Sequence, residues 1–450
     1  MVFTFQCFAA GIGIVTGKSL GHLFREEYNS RYLTFIVWAA IEVSVIGDDL
    51  QALIGCTLAL NMMFSLPFYA GALISLVSTL ILTYYFYRSP RLIESLVGIL
   101  MLTMIILYLV NVIYAAPPGG QVMYGLVVPQ APSYAVFQLV GAVGGIITPS
   151  TLFLGSQLVL IKPVDRKNES NVRSWYHYVI GELGVGFCVS FLRNLFVTAT
   201  FAASSFNEDC AEQSLALVQG NCSDIGLEDA PYALQNLYGN AALYMFGVAL
   251  FCSGQNSMIS ATLAGQATFE GFMNRKIPFW LRLIVTRIIS LVPALAIAFT
   301  AGTNEVTYSS ANAWINILMS MIMPFSMLPT IHIASNAKYM GKFAMSTRLC
   351  AFMNLVICGV ISINMYLLFG FLYQPDIFGS VGSFPQDPSF YSFIGIIIFC
   401  YAVLLFQVAR PSLECGWATL KTLFRTRFPT CASKAESCRC DHLLEVVDEA

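Results

Sequence analysis

Gly141-Ala-Val-Gly-Gly-Ile-Ile-Thr-Pro-Ser-Thr151 lies in the middle of an apolar run, 134–161, long enough to cross a bilayer. Gly144 and Gly145 loosen the backbone there, and Pro149 removes an amide donor and clashes with the preceding turn. Carbonyls freed at bilayer depth are tolerated only where protein or a water-filled cavity receives them. Broken helices of this kind line the midplane ion sites of secondary transporters, although a plain proline kink leaves the same local signature.

The rest of the chain supplies the membrane. Fifty-seven percent of its 450 residues are hydrophobic and only 11% charged, against about 25% charged in a soluble domain. Further apolar runs at 33–60, 65–87, 92–115, 176–203, 233–265, 279–301, 309–335, 347–373 and 388–409 bring the full spans to ten. Met1–Thr16 is too short for a comfortable crossing and reads as the second half of a helix whose start is missing. It carries no basic leader or cleavage site, so a signal peptide is not expected.

Positive charge alternates between connections. Lys18 and Arg25 lie in the first, Arg88 and Arg91 in the third, and Arg166 and Lys167 in the fifth; Arg275 and Lys276 occupy the seventh, and Lys338 and Lys342 the ninth. The intervening connections have none, and the one at 204–232 is acidic. Alternation of this kind is the positive-inside pattern of a multi-pass protein and puts the C-terminal tail, 413–450, in the cytosol. The acidic connection then faces outside or into a lumen. Asn221-Cys-Ser is a glycosylation acceptor on that side, and the compartment permits Cys210 and Cys222 to pair or to stay free. A net charge of −2 argues against a nucleic-acid partner. The four histidines are scattered and no nucleophile motif is present, so enzyme readings find no support.

Charges inside the spans are costly and should face a cavity or a partner. Asp48 and Asp49 are adjacent and point about 100° apart on a helix, so one of them can line a pathway while the other pairs. Glu182 and Arg193 share a face about three turns apart, too far for contact, and Arg287 needs a carboxylate. A structural network of Asp48, Glu182, Arg193 and Arg287 is the expectation, with Asp49 left for the pathway. Ser253-Gly-Gln-Asn-Ser-Met-Ile-Ser260 places small and hydroxyl residues at helical spacing for close packing.

Several stretches together resemble one family. Gly254-Gln-Asn-Ser257 and Ala264-Gly-Gln-Ala-Thr-Phe-Glu-Gly-Phe-Met-Asn274 are similar to the eighth-helix signature of the Nramp (natural resistance-associated macrophage protein) divalent-metal transporters. Gly13-Ile-Val-Thr-Gly-Lys-Ser-Leu20 resembles the end of the family's second helix, and Ile46-Gly-Asp-Asp-Leu-Gln-Ala-Leu-Ile-Gly55 resembles its third. Met323-Pro-Phe325, Pro329, Ser335-Asn336 and Met340-Gly341 follow its tenth. The resemblance implies an all-α integral membrane protein of the LeuT-type inverted-repeat fold. Residues 1–412 would form the transmembrane domain.

It also implies a site, and the departures from it are informative. The family binds metal between an Asp-Pro-Gly-Asn break in its first helix and a Met-Pro-His break in its sixth. Met1 aligns inside the second helix, so the first has no counterpart in this sequence. A chain without that carboxylate half is expected not to transport by itself. The sixth-helix break becomes Thr148-Pro149-Ser150, with Gly145 in the carbonyl position; Thr148 and Gly145 are the implied metal ligands and Ser150 and Asp49 the implied pathway residues. The second acid of the third helix becomes Ala52, and the tenth-helix glutamine positions are read as Met319 and Ile322. Exchanging thioether and imidazole for hydroxyl oxygens favours harder cations. The metal is cargo with Mn, Fe or Mg as candidates, protons are the coupling ion in the family, and no resident cofactor is expected. The alternatives are a transport-inactive membrane sensor or scaffold on the same fold, a truncated fragment, or an amino-acid or polyamine transporter of that fold. The plasma membrane and an endosomal or vacuolar membrane both fit.

Overall fold

The computed structural model describes residues 1–28, 30–86, 90–128, 148–205, 230–275, 278–301, 307–373 and 398–410, with 141–142, 144–146 and 395 besides. Asn221, Cys210, Cys222 and the 413–450 tail lie outside the described residues. Every described element is helical. In chain order they are α1 (Val2–Thr16), α2 (Leu20–Glu27), α3 (Arg31–Phe64), α4 (Phe68–Phe86), α5 (Pro90–Ala115), α6 (Gly119–Val127) and α7 (Pro149–Leu158). There follow α8 (Glu169–Ser205), α9 (Ala230–Met273), α10 (Phe279–Ala301), α11 (Thr307–Ser335), α12 (Ala337–Met340), α13 (Thr347–Tyr373) and α14 (Ile398–Arg410).

By length and composition, five described helices are able to cross a membrane, or seven if each of two bent pairs counts as one span. The bends have local causes. Gly17 takes φ 71° after α1, and the chain turns 77° into α2. Ser65 closes α3 in the left-handed region at φ 52°, Pro67 follows, and the turn into α4 is 116°. α2 is the amphipathic piece: Leu20, Leu23 and Phe24 are buried at helical spacing while Arg25 and Glu26 face out. α6 is a helix that hydropathy does not mark. α9 runs 44 residues and is interrupted by a kink at Gly239 (φ 80°).

The bundle is apolar outside, and its interior sets polar side chains among apolar ones. Leu102, Val185, Phe352 and Leu355 are exposed, whereas Asp49, Gln255, Arg287 and Ser290 are buried. Lipid tails are as apolar as leucine, so helix association rests on close packing and interhelical hydrogen bonds. Thr79 Oγ1 donates to Gln255 Oε1 at 2.6 Å and Gln255 Nε2 donates to Ser78 Oγ at 2.8 Å, fastening α4 to α9. Ser320 Oγ donates to Asn364 Oδ1 at 2.8 Å, and Asn364 Nδ2 returns a bond to the Ser320 carbonyl at 2.8 Å, fastening α11 to α13. A core of Phe5, Phe24, Phe153, Phe272, Met327, Met353 and Val408 joins seven helices.

α3 lies along α9 more extensively than any other described pair. At the crossing a Cβ on Gly254 would overlap Cys56 Sγ and sit 2.9 Å from the Ala52 carbonyl. Gly254→Val is therefore expected to destabilise the protein by about 1–3 kcal/mol through overpacking. Thermal unfolding in detergent reads this directly, and an unchanged midpoint would show that the crossing yields.

Candidate functional site

The 141–151 stretch is broken. Residues 144–146 are helical, Thr148 is extended (φ −66°, ψ 128°), and Pro149 opens α7. A residue before proline is pushed out of the helical region, and proline is suited to the first helical position, so Thr148-Pro149 both ends one helix and starts the next. The two glycines let this break lie against α11. A Cβ on Gly144 would overlap the Asn316 carbonyl, and one on Gly145 would lie 2.5 Å from Asn316 Oδ1.

Oxygen and amide groups gather around the break. Ser150 Oγ donates to Asp48 Oδ2 at 2.8 Å, joining α7 to α3 across 102 residues of sequence. One turn along α3, Gln51 Nε2 donates to Asn316 Oδ1 at 2.8 Å and to the Asn312 carbonyl at 3.2 Å. The Thr148 side chain is half-buried and does not cap α7. Its carbonyl is engaged, accepting from Thr151 Oγ1 at 2.8 Å, and Thr151 Oγ1 accepts from Gln6 Nε2 of α1 at 2.9 Å. Among the described residues no three His, Cys, Asp or Glu side chains converge as a metal-binding group. The break is lined by one carboxylate together with hydroxyl, amide and carbonyl groups.

The two adjacent aspartates part company here. Asp48, expected in the charge network, faces the break through Ser150. Asp49, expected on the pathway, is buried and ion-paired with Arg287 of α10, and its other oxygen accepts from Ser290 Oγ. Arg287 also donates to the Met258 carbonyl at 2.6 Å and to Thr262 Oγ1 at 2.8 Å. One residue along a helix is a rotation of about 100°, which is enough to send neighbouring side chains to different helices.

The four-residue charge network is corrected: each member is paired or bonded to a residue outside the set. Arg287 pairs with Asp49, Glu182 with Lys162, and Arg193 bonds to Asn194 next to it. A second α3–α10 pair, Glu42 with Arg282, was not anticipated. Neither were Gln51 and Asn316. Their signal is present in the sequence all the same: Gln51 follows Asp48 by three positions, and Asn312 and Asn316 are four apart in an otherwise apolar span, so each pair shares a helix face. Met319 is fully buried, Ile322 is part of the main apolar core, and Ala52 is buried against α9.

Residues 1–370 match the family model described as natural resistance-associated macrophage protein-like. The chain belongs to the Nramp family. Among its relatives, metal transporter Nramp3 of Arabidopsis thaliana is 31% identical over 418 residues, covering 92% of this chain and 78% of that protein. Metal transporter Nramp2 of Oryza sativa subsp. japonica is 32% identical over 381 residues, 84% and 70% of the two chains. The crystal structure of the Eremococcus coleocola manganese transporter in complex with an aromatic bis-isothiourea substituted compound superposes with a TM-score of 0.72 at 24% identity, covering 92% of this chain and 85% of that one. At that identity the likeness speaks to the fold, which this Nramp chain shares: an all-α, LeuT-type integral membrane bundle.

Proposed function

We propose that this Nramp chain moves divalent metal cations across a membrane, binding them at the Thr148-Pro149 break. The observation that carries the reading is the Ser150–Asp48 hydrogen bond, which holds a carboxylate against a broken helix inside the membrane. A divalent cation at that depth needs anionic compensation. In this reading Asp48 of α3 supplies it in place of the family's first-helix carboxylate, which reverses the expectation that a chain without that helix does not transport. The Gly145 carbonyl and the Thr148 and Ser150 hydroxyls add hard oxygen donors, and the Asn316 amide oxygen lies beside Gly145. Such a set suits Mn²⁺, Mg²⁺ or Fe²⁺ better than soft, thiophilic ions. The relatives named as metal transporters support the cargo class.

Proton coupling in this reading runs through Asp48. Asp49 is held by a guanidinium and a hydroxyl, and releasing it would strand a buried charge on either side. A cation beside a carboxyl group favours its ionised form and displaces the proton. Ser150, hydrogen-bonded to Asp48 at 2.8 Å, is the neighbour that accepts this change by rotating its hydroxyl.

Selectivity tests the site. Full-length protein in liposomes is expected to take up Mn²⁺ with Mg²⁺ competing well and Cd²⁺ poorly. Thr148→Met restores a soft thioether and is expected to raise Cd²⁺ relative to Mn²⁺ by roughly tenfold, the low end of what changes around a metal do to affinity. A wild-type preference for Cd²⁺ over both hard ions would sink the proposal.

A further inference from the structure

Two connections that the charge bias assigns to the cytosol, more than 160 residues apart in sequence, meet at one cleft. The segment before α8 contributes Arg166 and Lys167, and the turn between α11 and α13 contributes Lys338 and Lys342. The cleft holds about 350 Å³, and Val15 at the end of α1 is among its lining residues. Tyr339 adds an aromatic wall, with the Lys338 ammonium 4.9 Å from its ring centre. Glu169 is the one carboxylate among the lining residues, and it is already shared between Lys342 at 3.1 Å and Arg173 at 3.9 Å.

The cations are placed for an external partner. Arg166 is anchored, its Nε donating to the Ile14 carbonyl at 3.1 Å. Lys338 and Lys342 are 69% and 80% exposed along their side chains; Lys338 lies 3.7 Å from Glu27 and Lys342 3.1 Å from Glu169, exposed lysine pairings that a ligand of higher charge displaces. Exposed ion pairs such as Lys342–Glu169 are worth little and exchange readily. Four cationic groups against Glu169 in the lining and Glu27 behind Lys338 leave the cleft net positive, which disfavours a metal cation, so the cleft is not a station for the cargo. Convergent Lys and Arg donors suit phosphate oxygens, with arginine giving planar two-pronged contact. Basic pockets between membrane helices on the cytosolic side are the usual setting for phosphorylated lipid headgroups. The volume falls inside the roughly 300–1,000 Å³ of small-ligand sites.

We propose that this cleft binds a polyphosphorylated anion of the inositol phosphate class, either as a lipid headgroup from the adjoining leaflet or as the free headgroup. The ligand bridges the end of α1, the start of α8 and the 337–343 turn. Binding therefore ties three parts of the bundle together at their cytosolic ends, and it raises the unfolding temperature as any ligand selective for the folded state does. This inference does not depend on the Thr148 site.

Titrations of purified full-length protein in detergent test it with three probes: short-chain phosphatidylinositol bisphosphate, inositol trisphosphate and inorganic phosphate. Saturable binding of a polyphosphorylated probe is expected, weakening as salt is raised and exceeding that of inorganic phosphate. Binding of the lipid alone assigns the membrane source, and equal binding of inositol trisphosphate assigns the soluble one. The double variant Lys167→Gln, Lys342→Gln is expected to lose about tenfold or more in affinity. Arg275→Gln, on a different connection, should bind as the wild type does. If the double variant folds poorly, the single change Lys342→Gln at its exposed position carries the comparison. Absence of saturable binding by either inositol phosphate probe, or equal affinity in the wild type and the folded Lys342→Gln variant, overturns the proposal.

Discussion

Asp48→Asn is expected to reduce metal uptake by about 100-fold and to abolish metal-stimulated proton flux. Asparagine has the shape of aspartate and retains an oxygen to accept from Ser150 Oγ, so packing at the break is preserved and the loss reports charge. Without the carboxylate, the hydroxyl, amide and carbonyl groups around Thr148 would hold a divalent cation in a low-dielectric setting with no counter-charge, a costly arrangement. The magnitude follows the upper end of the 10–100-fold that altered metal surroundings commonly impose. Radiotracer Mn²⁺ uptake and a pH-sensitive dye in the same liposomes measure both effects. The thermal unfolding midpoint of the variant should stay near that of the parent. Undiminished uptake in Asp48→Asn would remove the carboxylate from the mechanism.

Arg287→Ala is expected to cost about 3–5 kcal/mol of stability, because it leaves the Asp49 carboxylate buried without its guanidinium. The Met258 carbonyl and the Thr262 hydroxyl lose their donor as well. The same physics makes the double change Asp49→Leu, Arg287→Met much milder than the single one. A hydrophobic pair of similar volume needs no charge compensation, and such replacements of buried ion pairs are often neutral or stabilising. Chemical denaturation or thermal unfolding of the three proteins decides the matter. A single variant within about 1 kcal/mol of the parent would mean that Asp49 finds another partner or is not ionised. Together with Asp48→Asn, these variants separate two adjacent acids: one acts on transport, the other on folding.

Much of the fold was legible beforehand. Runs of about 20 apolar residues identify spans whatever packs around them, since every backbone group in lipid must be satisfied within its own helix. Pro149 after Thr148 announces a break because the clash is with the residue's own chain. The motifs at 254–274 and 46–55 carried the family. The site was legible only in part. Thr148 and Ser150 stood out through their place in the break, while Gln51 and Asn316 passed as ordinary polar residues in apolar runs, because their meaning lies in a hydrogen bond across 265 residues.

The sequence by itself determined the membrane class and the presence of acids inside a span at 48 and 49, and it marked an interruption at Thr148-Pro149 that a kink or a full break would equally satisfy. These rest on local sterics and on the cost of placing polar groups in hydrocarbon, which act within one segment. Only the tertiary structure decided which acid meets Ser150 and which meets Arg287, and that Arg166 and Lys167 share a cleft with Lys338 and Lys342. The rotation of α3 about its axis decides the first, and the docking of the 337–343 turn beside the start of α8 decides the second. Both are set by packing between distant segments, where close contact at glycines such as Gly144 and Gly254 selects one arrangement.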